Sequence, residues 1–309
     1  MPSTAIPPAY RPVLPSQTAD GDAPVGAGRE DKRSYPPAPE PLPVPVMDNH
    51  THLDFRSGLP LVSVAAALDA AAAVGVCGAV QVGCDLESSR FTVQAIDQEP
   101  RLLGAVAIHP NDAPLLAERG GLDAALAEIE ELATHPRVRA IGETGLDYYR
   151  TPAAGIDSQQ YSFRRHLDIA KRLDLTLQIH DRDAHDDVVS TLRSEGAPDR
   201  VVFHCFSGGA DLARICNDAG WYMSFAGTVT FKNADNLREA LRIADPALVL
   251  TETDAPFLTP HPFRGRPNAP YLVPYTVRGM ADVLDADLAT LCQSIADNTR
   301  RVYGEWELG

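Results

Sequence analysis

Cysteine is scarce in this sequence and follows no pattern that would predict disulfide bonds or a structural zinc site. None of the five cysteines belongs to a C-x-x-C motif, and they are scattered along the chain as Cys77, Cys84, Cys205, Cys216 and Cys292. The odd number of cysteines and the absence of an N-terminal secretory signal predict free thiols in a reducing, cytoplasmic environment.

Positive charge is also scarce, because 27 lysines and arginines stand against 42 acidic residues and give a formal net charge of −15. This balance argues against a broad basic surface that wraps nucleic acid. It does not exclude an anionic substrate at a small site, because the Debye length is only about 8 Å at physiological salt and nearby charges therefore dominate.

The sequence has no apolar run long enough for a transmembrane helix, so no membrane contact is predicted. The nearest approach, residues 64–79, is interrupted by Asp69 and Gly75, and its pattern indicates a helix that leads into a strand. No protein partner is identifiable from the sequence.

The first 45 residues differ from the rest in composition. They contain 12 of the 26 prolines and almost no periodic apolar pattern. Proline at this density cannot sustain a helix or a central strand, so the segment is predicted to be a disordered or polyproline-like tail. Residues 46–309 are predicted to form the folded domain.

Short apolar runs alternate with segments of helical spacing from residue 46 onward. One helical segment, residues 122–134, carries a stripe of apolar residues at Leu122, Leu126, Ile129 and Leu132. The eight apolar runs are centred on residues 46–49, 76–83, 102–108, 138–142, 175–179, 200–203, 221–226 and 247–251. Eight strands separated by helices predict an α/β fold, the (β/α)8 TIM barrel, with residues 276–304 as closing helices. An open doubly wound sheet is the alternative, but no G-x-G-x-x-G motif follows the first run.

Polar residues with metal-binding side chains end five of these runs. In TIM barrels the ends of the strands meet at one rim, which carries the chemistry. The side chains predicted to converge there are His50, His52, Glu143, His180, His204 and Asp254.

Imidazoles and carboxylates without thiolates suit Mg, Mn, Zn, Fe or Ni and do not identify the metal. Six ligands exceed the needs of one tetrahedral site, which favours two divalent ions bridged by Glu143. Such ions lower the pKa of a bound water to about 7 and generate a hydroxide for hydrolysis. Asp254 is the residue predicted to steer this water or accept its proton.

Seven motifs occur in one order between Asp48 and Pro270: DNHTHLD, AIHPND, IGETGLDYY, QIHDRDA, HCFSGG, TETDAPFLTP and FRGRPNAP. This ordered set resembles the TatD family of metal-dependent hydrolases. The resemblance implies a TIM barrel and a divalent-metal-dependent deoxyribonuclease, often a 3′ exonuclease on DNA. It also implies one ion held by His50, His52, Glu143 and Asp254, and a second held by Glu143, His180 and His204.

The candidate substrate-binding residues are His109, Arg182 and Arg266. His109 ends the third run, and the Arg182 guanidinium could pair with a phosphate, or instead with a nearby carboxylate. Arg266 is the basic residue that remains where the family's R-G-K-R-N-E-P motif has become R-G-R-P-N-A-P. This change leaves the substrate preference of that loop open.

Several further residues receive simpler predictions. Glu252 is expected to support a ligand, Cys205 to lie in the core, and Tyr148 or Tyr149 to stack on a base or pack on the rim. The remaining histidines are predicted to be solvent-exposed: His135, His166, His185 and His261.

Three functions fit these observations. The first is a metal-dependent deoxyribonuclease. The second keeps the metal site but hydrolyses an ester or amide, as an aminoacyl-tRNA deacylase does. The third is a non-catalytic scaffold with structural metals and a proline-rich tail that recruits a partner.

Overall fold

Eight parallel strands form a single sheet in chain order in the computed structural model, which describes residues 5–11, 34–55 and 62–306. The strands are β1 (Val46–Thr51), β2 (Val76–Val82), β3 (Leu102–Val106), β4 (Val138–Asp147), β5 (Thr176–Arg182), β6 (Val201–Phe203), β7 (Tyr222–Phe225) and β8 (Val249–Thr251). Each strand lies at one of the eight predicted apolar runs, so the predicted strand order is confirmed.

Helices connect the strands and surround the sheet. They are α1 (Val64–Ala72), α2 (Leu86–Gln98), α3 (Ala113–Glu118), α4 (Leu122–Ala133), α5 (Ile156–Leu173), α6 (His185–Glu195), α7 (Ala210–Ala219), α8 (Asp235–Ile243), α9 (Val273–Leu284) and α10 (Leu288–Tyr303). Short 3₁₀ turns occupy Pro8–Tyr10, Ala153–Gly155, Gly227–Thr230, Pro246–Leu248 and Pro270–Leu272. Within the described residues, no helix combines the length and apolarity needed to span a bilayer.

The sheet closes into a barrel where β1 meets β8. The Asp254 amide donates to the His50 carbonyl at 2.9 Å, and the His52 amide donates to the Ala255 carbonyl at 2.8 Å. These bonds lie just beyond the ends of the two strands, so closure brings the first and last polar strand ends into direct contact. The TIM barrel predicted from the sequence is confirmed.

Apolar side chains fill both the barrel and the layer between the strands and the helices. Met47, Val80 and Leu250 belong to the inner cluster, which Tyr303 at the end of α10 and Trp306 just beyond it also join. The Thr176 hydroxyl donates to the Val302 carbonyl at 2.7 Å, so α10 covers the end of the barrel where the strands begin. The opposite end, where the strands finish, carries the polar residues.

Part of the N-terminal segment packs against the barrel. Of the two predicted forms of the tail, disordered or polyproline-like, disorder does not apply to residues 5–11 and 34–45. The ring of Tyr10 is 4.6 Å from that of Tyr35 and 5.0 Å from that of Tyr271. The Tyr271 hydroxyl donates to the Pro36 carbonyl at 2.5 Å. Buried aromatic rings therefore hold these residues despite their proline content. The tail prediction for residues 1–4 and 12–33 lies outside the described residues, and the domain boundary at residue 45 stays a prediction.

Candidate metal centre

The ends of β1, β4, β5, β6 and β8 bring all six predicted ligands together. His50, Glu143 and His204 are buried, whereas the side chains of His180 and Asp254 are 19% and 14% exposed. The centre therefore lies in the barrel mouth with its open side towards His180 and Asp254.

The first half of the centre contains His50, His52, Asp254 and one oxygen of Glu143. The Nε2 atoms of the two histidines are 3.1 Å apart, and they lie 3.8 and 3.6 Å from Glu143 Oε1. Asp254 Oδ1 lies 3.8 Å from His50 Nε2 and 3.5 Å from His52 Nε2. Ligand atoms about 2.0–2.2 Å from a tetrahedral metal are roughly 3.3–3.5 Å apart, so these four groups have the spacing of a cation site.

The second half of the centre uses the other oxygen of Glu143. Glu143 Oε2 lies 2.7 Å from His204 Nε2 and 3.1 Å from His180 Nδ1, and these two nitrogens are 3.4 Å apart. The two oxygens of one carboxylate therefore face two different sets of imidazoles. This is the arrangement expected of a carboxylate shared between two neighbouring cations.

Neighbouring groups fix the orientation of the three histidine rings that have a second polar contact. His52 Nδ1 is 2.9 Å from the Val82 carbonyl, which can only accept a hydrogen bond, so the Nε2 lone pair faces the centre. His204 Nδ1 is 3.3 Å from Glu252 Oε1, and His180 Nε2 is 3.3 Å from Asp147 Oδ2. Such contacts to the remote ring nitrogen orient metal-binding histidines and increase their basicity.

Glu252 supports the centre, as its alternation with Asp254 in the sequence predicts. Its carboxylate touches His204 and also accepts a hydrogen bond from the Cys205 amide at 2.7 Å. Asp48 plays the corresponding role for β1, because it accepts hydrogen bonds from the amide and the hydroxyl of Thr253. These buried carboxylates tie the ligand-bearing strand ends to one another.

The charges of the centre are those of a site built for cations. Burial raises the pKa of Glu143, but the neighbouring imidazoles, His204 first, outweigh burial and hold this pKa well below its usual range. Burial lowers the pKa of His204, but the charge of Glu143 reverses this effect and raises it. The carboxylate is thus strongly stabilised by positive charge, which a bound cation would supply in place of protons.

The close approach of nitrogen and oxygen atoms around His50 also fits a divalent metal. His50 Nε2 lies 3.1 Å from His52 Nε2 and 3.8 Å from one oxygen each of Glu143 and Asp254. Imidazole nitrogens and carboxylate oxygens can meet at such distances without repulsion when a cation lies between them.

Sequence reasoning missed two residues at the centre, Cys84 and Asp147. The Cys84 thiol lies 3.3 Å from Glu143 Oε1 and 3.7 Å from His52 Nδ1, and burial raises its pKa to about 12. A neutral thiol can donate to the Glu143 carboxylate. Cys84 directly follows the second apolar run, so applying the strand-end rule to every run would have identified it. Asp147 lies four residues beyond Glu143, where the fourth run was predicted to end, because β4 continues to Asp147.

The three predicted substrate-binding residues lie in different places. His109 Nε2 is 3.8 Å from Glu143 Oε2, so this residue belongs to the centre. Arg182 lies on the rim with its guanidinium carbon 4.0 Å from the ring centroid of Tyr149.

Arg266 is occupied elsewhere. It donates to the Ser34 carbonyl at 2.8 Å and to the Tyr35 carbonyl at 2.5 Å, so it anchors the N-terminal segment. Its position does not support the predicted substrate contact.

Some of the simpler predictions also require correction. His166 is fully buried instead of exposed, and His135 and His185 are half-buried beside acidic partners, whereas His261 is exposed. Cys205 is half-buried beyond the end of β6, with a backbone φ of 40°, instead of lying in the core. The strand ends before Cys205, so the strand alternation used to predict its position does not apply.

Comparison with known proteins places this arrangement in a family. The family model "TatD related DNase" matches residues 47–304. The uncharacterized metal-dependent hydrolase TatD of Mycobacterium tuberculosis is 45% identical over 84% of this chain and 98% of its own length. The uncharacterized metal-dependent hydrolase YabD of Bacillus subtilis is 36% identical over the same shares.

A solved structure shows the same fold. The crystal structure of YJJV, a TatD homologue from Escherichia coli K12, superimposes with a TM-score of 0.77 at 26% identity, covering 84% of this chain and 98% of that chain. The chain therefore belongs to the TatD family of metal-dependent hydrolases.

Proposed function

We propose that this protein is a deoxyribonuclease that hydrolyses phosphodiester bonds of single-stranded DNA from the 3′ end with two divalent metal ions. The observation that carries this proposal is the Glu143 carboxylate, whose two oxygens face two separate imidazole sets at 2.7–3.8 Å. Many enzymes that cleave phosphodiesters use two neighbouring cations, because the cations neutralise the charge on both the attacking and the leaving oxygen.

Six residues would hold the ions, which are Mg, Mn or Zn. His50, His52, Glu143 and Asp254 would bind the first, and Glu143, His180 and His204 would bind the second. Bound there, the ions would activate water and neutralise the charge of the phosphate.

Asp254 is the residue proposed to accept a proton from the attacking water. Its carboxylate belongs to the first half, and its side chain is 14% exposed, so it can contact both a ligand and an incoming substrate. A carboxylate within hydrogen-bonding reach of the water can orient it and take its proton.

His109 is proposed to donate a hydrogen bond to a phosphate oxygen. Its Nδ1 accepts from the Asn111 amide at 3.0 Å, and burial lowers its pKa to about 3, so the neutral ring carries its proton on Nε2. This nitrogen lies 3.8 Å from Glu143 Oε2, and the His109 side chain is 14% exposed. An N–H group in this position can bind an anion without competing for the metals.

The test is hydrolysis of a 5′-labelled single strand by protein that has been stripped with a chelator and reloaded with Mg, Mn or Zn. We expect stripping to abolish cleavage, reloading to restore it, and Glu143→Gln to lower the rate at least about a hundredfold. Glu131→Gln, the same chemical change on an exposed helix position, is the matched control. Cleavage that survives in Glu143→Gln would contradict the proposal, and the ladder of products gives the polarity.

Hydrolysis of an ester or amide, as by an aminoacyl-tRNA deacylase, is the second candidate. Two observations favour it: the net charge of −15, and the use of Arg266 to anchor residues 34–35 instead of a substrate. Turnover on DNA and on aminoacyl esters, measured with the same metal-loaded preparation, separates the two functions.

A further inference from the structure

We propose that two aromatic platforms on the barrel rim stack the unpaired bases on either side of the scissile phosphate. The Phe platform is Phe55 with Phe257, and the Tyr platform is Tyr149 with Arg182. This inference rests on the proposed function, because it assigns base-binding subsites to the same centre.

The Phe platform lies beside the first half of the centre. The rings of Phe55 and Phe257 meet edge to face, with centroids 4.9 Å apart and planes at 65°. Each residue is 43% exposed, and the Phe257 ring centroid is 6.5 Å from that of His52. Phe257 follows Asp254 by three residues, so the platform and a ligand share one loop.

The Tyr platform lies beside the second half of the centre. Tyr149 is 66% exposed, and the Arg182 guanidinium carbon lies 4.0 Å from its ring centroid. Tyr149 follows Asp147 by two residues, and Arg182 follows His180 by two residues. The Asp147 carboxylate in turn contacts His180, so this platform is built on the residues that orient the second half.

The distribution of exposed apolar side chains supports a ligand-binding role. Five large apolar residues are exposed in the described part of the chain, and three of them belong to the platforms: Phe55, Tyr149 and Phe257, the others being Leu115 and Tyr161. Exposed aromatic rings gathered around a polar centre indicate a binding site, whereas rings scattered singly over a surface need no explanation.

Because the protein is strongly negative, we expect base stacking to contribute a large part of the free energy of DNA binding. With a net charge of −15 the protein as a whole repels a phosphate backbone, which weakens the electrostatic part of DNA binding. Aromatic stacking does not depend on that charge, and removing one stacking ring weakens binding roughly 5- to 150-fold per base. Bases paired in a duplex are already stacked and covered, so two platforms select single strands.

One platform on each side of a shared carboxylate predicts recognition of a dinucleotide step. The phosphate between two nucleotides would lie at the centre, with one base on the Phe platform and the next on the Tyr platform. Removal of either base should then remove the contribution of one platform only.

The experiment uses metal-loaded enzyme and hexathymidylates that carry one abasic nucleotide immediately 5′ or 3′ of the scissile bond. We expect Phe257→Ala and Tyr149→Ala each to raise KM for the intact strand about tenfold, with kcat changed less than about threefold. Each variant should lose this effect on one of the two abasic strands and keep it on the other, because the ring and its base act as a pair. Phe257→Trp should retain binding.

Tyr161→Ala is the matched control, because Tyr161 is 41% exposed on α5 and does not adjoin a ligand in the chain. Hydrolysis of methyl p-nitrophenyl phosphate, which carries no base, should be the same in Tyr161→Ala as in the unchanged protein. Strand cleavage that is unchanged in both platform variants, or equally impaired on both abasic strands, would overturn the inference while leaving the nuclease proposal intact.

Binding separates failure of the inference from failure of the proposed function. A labelled phosphorothioate hexathymidylate resists hydrolysis and is followed by fluorescence anisotropy. Tighter binding of this strand than of its abasic form, lost in Phe257→Ala, supports the platforms even in a protein that cleaves no DNA. Equal affinity for the two strands, or no binding of either, overturns them.

Discussion

His166 shows how burial changes the chemistry of a single residue. It lies on α5, and its Nδ1 is 2.8 Å from the Ser162 carbonyl, which can only accept. Its Nε2 accepts a hydrogen bond from the Ile108 amide at 3.1 Å. These partners together require the neutral ring with its proton on Nδ1, and burial lowers its pKa to about 4.

We predict that His166 makes the protein less stable as the pH falls from about 6.5 to 4. The unfolded chain binds a proton at His166 below about pH 6.5, whereas the folded protein binds it only near pH 4, so acid favours unfolding in this window. The shift corresponds to roughly 3 kcal/mol by pH 4. Urea unfolding of chelated protein between pH 4 and 7 should show a shallower pH dependence for His166→Gln.

The control for this prediction is His261→Gln, which removes an exposed histidine. Its pH dependence should match that of the unchanged protein, because His261 is exposed and its replacement leaves the buried His166 in place. Parallel curves for His166→Gln and the unchanged protein would contradict the prediction.

Single residues differ in how far the sequence reveals their place. The proximity of the six candidate ligands was predictable because strand ends meet at one rim, whichever loops intervene. His166 was not, because a histidine on a helix has the same sequence signal whether its side is buried or exposed. Arg266 was not, because its partners at residues 34–35 lie more than 200 residues away and belong to a segment without periodicity.

At the level of elements, the close approach of β4 and β5 positions the second half of the centre. Gly145 pairs with His180, and a Cβ built on Gly145 would lie 2.1 Å from the His180 carbonyl oxygen. The backbone φ of Gly145 is 135°, a conformation that other residues rarely adopt. Glycine therefore allows β5 to bring His180 up to Glu143.

We predict that Gly145→Ala lowers the free energy of unfolding by about 2 kcal/mol or more and weakens metal binding at the second half. The added methyl group must displace the His180 backbone, and with it the imidazole. Unfolding by denaturant and metal content after dialysis measure the two effects.

Gly196→Ala is the control that separates the effect of a steric clash from the effect of backbone strain. Gly196 also has a positive φ, 76°, but a Cβ there would meet no atom within 4 Å. This control should lose about 1 kcal/mol through strain alone and keep its full metal content. A Gly145→Ala protein with normal metal content would refute the positioning role.

The packing of the N-terminal segment against the barrel could not be predicted from the sequence. In its described residues, 5–11 and 34–45, the prolines exclude helix and strand apart from one 3₁₀ turn, but they do not exclude packing. Tyr10 and Tyr35 are buried against Tyr271, although they belong to no repeating apolar pattern in the sequence. Strands and helices were predictable because their apolar residues recur with a period, and isolated anchors have none.

We predict that Tyr10→Ala lowers the free energy of unfolding by about 3 kcal/mol and exposes residues 34–45 to protease, because it removes a buried ring from the aromatic cluster. Arg11→Ala, at an exposed neighbour, should do neither. Denaturant unfolding and the rate of limited proteolysis are the measurements. Equal cleavage rates in the two variants would show that the cluster does not hold the segment.

At the level of the whole molecule, the net charge of −15 limits how much DNA binding can depend on electrostatic attraction. A protein that neutralises many phosphates loses affinity steeply as salt rises. Arg182 belongs to the Tyr platform and Arg150 follows Tyr149 in the chain, so about two phosphate contacts are expected.

We predict a logarithmic plot of affinity against salt with a slope of about −1.4, the value for two contacts on a single strand. Arg182→Gln should reduce this slope by about 0.7. Anisotropy of the phosphorothioate strand at several salt concentrations measures both slopes. A slope steeper than about −3 would reveal a basic binding surface and contradict this account.

Closure of the barrel also constrains how the protein is made. His50 and His52 leave the ribosome roughly 200 residues before Asp254, and the bonds that join β1 to β8 need both ends of the chain. A product of premature termination before β8 therefore lacks Asp254, the candidate fourth ligand of the first half, and the seam that holds His50 and His52. Translation errors of this kind yield inert fragments instead of unregulated hydrolases.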